Sequence, residues 1–366
     1  MTHSTLNRGV AFERNARERV PAAAQRTFQV IAITVAAVVA AGCGGAVQSV
    51  GRDVPRRASD ETALVPHVVA PYETGPGIDP TLANHYAWVD TTAATNHQLF
   101  VFMPGTGAVP ALFQLLLQRA ARLGYHAIGL MYEDAFPIND LCAGSVDPSS
   151  CFENAHSAVV YGCASGSCSD SVVNVSVPNS AVNLLTSLLR YLATQYPDEG
   201  WADFLADDKP KWARVAVAGS SQGGANAALI AKRSLVARVV LFSAVGDALP
   251  PGPVPCQAGD NWLSTHVTAS ARYFGLAHDR DSQHLPFICA SWNSLGMDAF
   301  GVPVAPEESS PPYGGTHELL TDLKPQGGYK YAHCSTANDV CTPLDKNGNP
   351  LLAAAWGYML TAPVTP

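Results

Sequence analysis

The chain has 366 residues, of which 47% are hydrophobic and 14% charged, a globular composition with sparse charge. Its net charge of −8 offers no basic face for nucleic acid, which excludes that class of partner. Thirty glycines and 27 prolines point to many loops, and the length admits one large domain or two small ones.

Residues 1–43 read as a targeting segment. Arg8, Arg14, Arg17, Arg19 and Arg26 form a basic leader, and Val30 to Ala41 is a continuous apolar run. That run is short for a membrane-spanning helix, which needs about 20 residues. Ala40-Ala41-Gly42-Cys43 follows, with small residues placed before a cysteine. The segment resembles a bacterial lipoprotein signal, although Ala40 stands where leucine is more usual. The resemblance implies a lipid on Cys43 and a protein tethered to the periplasmic or cell-surface face of a membrane. Plain secretory cleavage is the alternative, and an uncleaved anchor ranks third.

The cysteines agree with export. Removing Cys43 from the nine leaves an even set: Cys142, Cys151, Cys163, Cys168, Cys256, Cys289, Cys334 and Cys341. An even set in an exported chain implies disulfides. Pairing sequence neighbours gives Cys142–Cys151, Cys163–Cys168 and Cys334–Cys341, which leaves Cys256–Cys289. A zinc site is the rival, but no cysteine pair has C-x-x-C spacing and no histidine pair has ligand spacing.

Residues 44–80 contain Gly, Pro, Arg and Asp without a sustained period and read as a flexible tether, with the folded domain at 81–366. From about residue 85, strand and helix patterns alternate. Gln98 to Met103 is an apolar strand that ends in Pro104-Gly105-Thr106-Gly107. Ala111 to Leu123 has helical spacing, and His126 to Tyr132 is a second strand. Residues 133–180, rich in Ser, Gly, Asn and Cys, break the rhythm and read as a disulfide-bearing insertion or rim. Ser180 caps a helix through Tyr196, with Leu184, Leu185, Leu188 and Leu192 on one face and Pro197 beyond its end. Trp212 to Ala218 is a strand, Gln222 to Ser234 a helix, Val236 to Ser243 and Arg272 to Ala277 two further strands, and Leu351 to Leu360 a closing helix. Apolar strands separated by helices predict a parallel sheet covered on both faces. Sites in such sheets lie beyond the carboxyl ends of the strands.

Gly219-Ser220-Ser221-Gln222-Gly223 sits between a strand and a helix. This is the G-x-S-x-G pattern in the context its geometry requires: a tight turn that lifts the central serine off the sheet. A serine hydroxyl needs a histidine to take its proton and an acid to orient that histidine. In this arrangement the chain order is Ser, acid, His. Asp281, after the strand ending at Ala277, is the preferred acid, with Asp279 and Asp247 as alternatives. Asp would serve equally as a turn residue or helix cap at any of these positions. His333, before the last helix, is the preferred base and His317 the alternative. His284 reads as too near the acid to occupy a separate loop. The oxyanion donors expected are the backbone N–H groups of Gln222 and Thr106. Tyr132, Phe136, Tyr273 and Trp292 read either as an acyl pocket or, more simply, as core.

On these residues the chain resembles the α/β-hydrolase superfamily over about 85–365. More narrowly it resembles exported bacterial α/β-hydrolases with an early Cys-containing insertion, a Ser-Gln-Gly-Gly elbow and a late Ala-His segment. Ser220 departs from that group, many of whose members have His there. The resemblance implies an α/β-hydrolase fold and a serine hydrolase that cleaves small or polymeric carboxylic esters through an acyl-enzyme, without a cofactor or metal. A peptidase or polyester depolymerase of the same fold, and a non-catalytic binding lipoprotein on the same scaffold, are the alternatives.

Overall fold

Successive side chains of a strand point to opposite faces, and the central strands here are apolar on both. Leu99, Val101 and Met103 of β3 (Leu99–Met103) belong to one core cluster, while Phe100 and Phe102 belong to the other. Val215 and Val217 alternate in the same way with Ala216 and Ala218 in β7 (Val215–Ser220). So do Val239 and Leu241 with Val240 and Phe242 in β8 (Arg238–Phe242). Such strands are stable only when helices cover both faces.

The computed structural model describes residues 63–164, 166–249, 256–257 and 261–364. It is an α/β structure with a mostly parallel eight-stranded sheet in the order β1-β2-β4-β3-β7-β8-β9-β10. The other main strands are β1 (Leu64–Val69), β2 (His85–Asp90), β4 (His126–Gly129), β9 (Tyr273–His278) and β10 (Glu318–Thr321). β2 pairs antiparallel with both β1 and β4, and every other pairing is parallel. β5 (Leu205–Ala206) and β6 (Lys209–Pro210) form a separate small hairpin.

Helices α1 (Gln114–Arg122) and α7 (Ala353–Thr361) cover one face of the sheet through Leu116, Leu117, Ala120, Trp356 and Met359. The other face packs against α3 (Pro148–Tyr161), α4 (Ala181–Gln195), α5 (Gln222–Arg233) and α6 (Leu285–Ser294). The expected cap of α4 is present: Ser180 Oγ accepts the Asn183 N–H at 3.4 Å. At α1, Asp339 supplies the cap from a distant loop, accepting the N–H groups of Gln114 at 2.7 Å and Leu115 at 3.2 Å. The buried Arg238 guanidinium closes the other end of that layer by donating to the Met359 and Ala362 carbonyls at the end of α7.

Three expectations change. The stretch 44–80 is not tether throughout, because residues 64–69 form an edge strand paired with β2. Pro66 lies within that strand, which is tolerable at an edge. The 133–180 insertion carries two helices, α2 (Ile138–Cys142) and α3. Phe152, Ala155 and Val159 of α3 are buried in the core, so part of the insertion is body rather than rim. The sequence at His317-Glu318, equally readable as a solvated helix start, instead leads into strand β10. All four disulfides pair as sequence proximity predicts: Cys142–Cys151, Cys163–Cys168, Cys256–Cys289 and Cys334–Cys341. They are compatible with an exported protein. No helix among the described residues is long and apolar enough to cross a membrane. The leader 1–43, with Cys43, lies outside the described residues.

Candidate active site

The turn from β7 to α5 is tight because glycines allow backbone to touch backbone. A Cβ on Gly219 would lie 2.2 Å from the Gly223 carbonyl carbon, and one on Gly223 would lie 2.0 Å from the Met103 oxygen. Ser221 sits at the apex with φ 53° and ψ −125°, a conformation non-glycine residues rarely adopt. Ser220 is the buried last residue of β7 and lacks this conformation. Ser221 Oγ makes no hydrogen bond to the described residues, and its side chain faces a cavity of about 220 Å³.

The loop after β3 lies against this apex. A Cβ on Gly105 would meet Ser221 Cβ at 3.0 Å. Three contacts hold the loop: Tyr132 Oη donates to the Pro104 carbonyl at 2.6 Å, Gly107 N–H donates to the Asp134 carbonyl at 3.3 Å, and Thr106 Oγ1 donates to Gln222 Oε1 at 3.0 Å. Gln222 Nε2 in turn donates to the Asp134 carbonyl at 3.3 Å. The Gln222 side chain therefore ties the elbow to both neighbouring loops, while its backbone N–H begins α5. The Thr106 backbone lies in the loop directly beside Ser221.

Asp281 follows β9 and is 5% exposed. Its carboxylate receives two imidazoles. His333 Nδ1 donates to Oδ2 at 2.5 Å, and His284 Nδ1 donates to Oδ1 at 2.8 Å. A carboxylate only accepts, so each ring carries a proton on the Nδ1 that faces Asp281. Burial alone would raise the Asp281 pKa. The two hydrogen bonds and the adjoining imidazoles outweigh it and hold the acid well below the usual carboxylate range. The two rings lie 4.1 Å apart. His284 lines the Ser221 cavity and also an adjoining cleft that contains His333.

The His333 loop is held from two sides. The Cys334–Cys341 bridge closes it, and the Asp339 carboxylate on α1 pins it beside the helix that follows the Gly105 loop. Ser221, Asp281, His333 and Thr106 all follow the carboxyl ends of parallel strands, the edge expected for a site in such a sheet.

The alternatives go elsewhere. Asp279 is 45% exposed and lies 3.3 Å from His278 Nδ1, away from His333. Arg280 pairs with Asp322 at 2.5 and 2.9 Å and only grazes Asp279 at 4.0 Å. Asp247 is buried beneath the cavity, where it receives Trp262 Nε1 at 3.0 Å and faces His156 Nε2 at 3.4 Å. His317 lies just before β10, at the opposite edge of the sheet from Ser221. It is stacked between Phe274 at 4.2 Å and Phe300 at 3.9 Å, and burial pushes its pKa down to about 4. Tyr132, Tyr273 and Trp292 are fully buried core, and Phe136 packs partly buried against it, so the simpler reading of these aromatics holds.

Sequence reasoning missed His284. Asp281-Ser-Gln-His284 places the imidazole one turn after the acid at the start of α6, where an i, i+3 pair shares a side. The spacing is visible in sequence, and one carboxylate has two oxygens to share. Asp281, His284 and His333 also each offer one ligand-type atom within 4.8 Å of the others, a grouping that would equally suit a metal ion. No protein-family model matches the chain, and no curated protein matches it either.

Proposed function

We propose that the protein is a serine hydrolase of the α/β-hydrolase fold that cleaves carboxylic esters through an acyl-enzyme. The observation that carries the proposal is the strained Ser221 apex between β7 and α5, together with the Asp281–His333 hydrogen bond at the same sheet edge. The β3–α1 loop lies where this fold takes its second oxyanion donor, which supports the same reading.

In this mechanism Ser221 Oγ attacks the ester carbonyl while His333 Nε2 takes its proton. Asp281 holds Nδ1–H, fixing the tautomer and stabilising the imidazolium as it forms. The carbonyl oxygen gains charge in front of the Gln222 and Thr106 backbone N–H groups. When the tetrahedral intermediate collapses, the alkoxide leaves with the proton from His333. Water then attacks the acyl-Ser221 as His333 takes its proton, and when this second intermediate collapses His333 returns the proton to Ser221 Oγ, releasing the acid and free serine. No cofactor enters these steps. The disulfides and the Cys43 leader support placing the enzyme outside the cytoplasm, tethered by lipid.

A second assignment of the base is favoured by one observation: His284, not His333, lines the Ser221 cavity. It leaves the nucleophile and acid unchanged. Hydrolysis of p-nitrophenyl butyrate by wild type and Ser221→Ala tests the class, with the variant expected at background. Turnover unchanged in Ser221→Ala refutes the proposal. His333→Ala and His284→Ala then decide the base, because the true base falls to the Ser221→Ala level.

A further inference from the structure

The cavity in front of Ser221 is small, half open and polar at its floor. At about 220 Å³ it lies below the ~300–1,000 Å³ usual for sites that hold drug-sized ligands. One wall is α2 of the insertion. Asn139 on that helix clamps it to the loop after β8, donating Nδ2–H to the Gly246 carbonyl at 3.2 Å and accepting the Ala248 N–H at 3.1 Å. The Cys142–Cys151 bridge ties the far end of α2 to α3. A wall bonded at both ends has little freedom to swing open for a long chain.

The floor is formed by His156 and Asp247, which are 1% and 5% exposed. Asp247 takes Trp262 Nε1–H on one oxygen and faces His156 Nε2 with the other. His156 Nδ1 is held by Asn226 at 2.8 Å. A buried carboxylate is costly unless donors surround it. This one has one neighbour on each oxygen, fewer than a carboxylate can accept, and it lines the cavity. An alkyl chain placed there would desolvate the carboxylate with nothing in return. A group with an O–H or N–H would complete its shell. No Lys or Arg lines the cavity among the described residues, so nothing there favours an anionic chain.

Building on Ser221 as nucleophile, we propose that the cavity selects short acyl chains bearing a hydrogen-bond donor, such as hydroxylated short-chain acids, and excludes long alkyl acids. Asp247 accepts from the donor, and the Asn139-clamped wall sets the length limit.

The test compares p-nitrophenyl butyrate, 3-hydroxybutyrate and octanoate on the intact, oxidised protein, with active sites counted by a fluorophosphonate. Relative to butyrate, kcat/KM is expected to rise about tenfold or more for a donor-bearing chain, the value of one hydrogen bond to a charged group. It is expected to fall at least tenfold for octanoate. Asp247→Asn is expected to erase the donor preference. Asn139→Ala, on an exposed side chain, tests the wall independently and should raise the octanoate-to-butyrate ratio. Equal rates for octanoate and butyrate with no gain from a donor, on protein whose serine labels, overturn this inference alone. Failure of Ser221 to label overturns it together with the hydrolase reading.

Discussion

Replacing His284 with alanine removes one of the two N–H groups that hold Asp281. The carboxylate is 5% exposed, so water replaces the lost donor poorly. The bond is short, 2.8 Å, and runs to an ionised acceptor, a class worth about 1.5–3 kcal/mol. If His333 is the base, that loss acts through the acid. Asp281 becomes freer to turn and less fixed against His333 Nδ1, and the imidazolium of the transition state loses part of its support. At 1.36 kcal/mol per decade the expected fall in kcat is about ten- to a hundredfold, with KM little changed. His284→Asn restores an N–H donor near the same oxygen and should recover most of the loss. The assay is steady-state hydrolysis of p-nitrophenyl butyrate, with urea unfolding run in parallel to separate stability from rate. His284→Ala within twofold of wild type refutes the positioning role. A fall as deep as that of His333→Ala refutes the assignment of His333 as sole base.

Two further outcomes follow from the frame around the site. Gly223→Ala puts a methyl 2.0 Å from the Met103 oxygen and 2.4 Å from the Pro104 oxygen, both backbone atoms. It should cost at least about a hundredfold in kcat/KM and lower the melting temperature, whereas Gly246→Ala, with nothing within 4 Å of the added Cβ, should fold normally. Asp134 lies under the Gly105 loop with Oδ2 buried and unpartnered, and burial, with Glu133 nearby, pushes its pKa up to about 7. A carboxyl raised in the folded state favours folding below its unfolded value of 3.8, and that advantage is lost as pH rises through about 7. Asp134→Asn should therefore flatten the decline in stability between those values and exceed wild type at pH 8 by about 1–3 kcal/mol in urea unfolding. A parallel decline in both proteins would contradict the argument.

The elements that were legible in sequence carry local chemistry. Gly219 and Gly223 flank a serine because no side chain fits there, and that constraint is visible without a structure. The four disulfides were legible because three close neighbours in sequence, at separations of 9, 5 and 7, leave only one remaining pair. What failed was set by distant partners. β1 contains Pro66 and looks like a linker until β2 lies beside it. His317 has the right order for a base, but the four-residue strand that begins just after it is too short to read, so its place at the end of the sheet away from Ser221 is not visible in sequence. Asp247 ends at the right edge, yet Trp262 and His156, from remote segments, claim it. The α3 helix was hidden in a polar, Cys-rich stretch because its capping signal, Asp147 accepting the Ser150 N–H, precedes only a weakly patterned run.

The central claim is that Ser221 is a nucleophile activated by its surroundings. Incubating the folded, oxidised protein with a fluorophosphonate, digesting it and sequencing the modified peptide by mass spectrometry tests this most directly. The account predicts one adduct per chain on Ser221, absent from Ser221→Ala and sharply slowed in His333→Ala and Asp281→Asn. An unlabelled Ser221, or an adduct on Ser220 with turnover retained in Ser221→Ala, would contradict it.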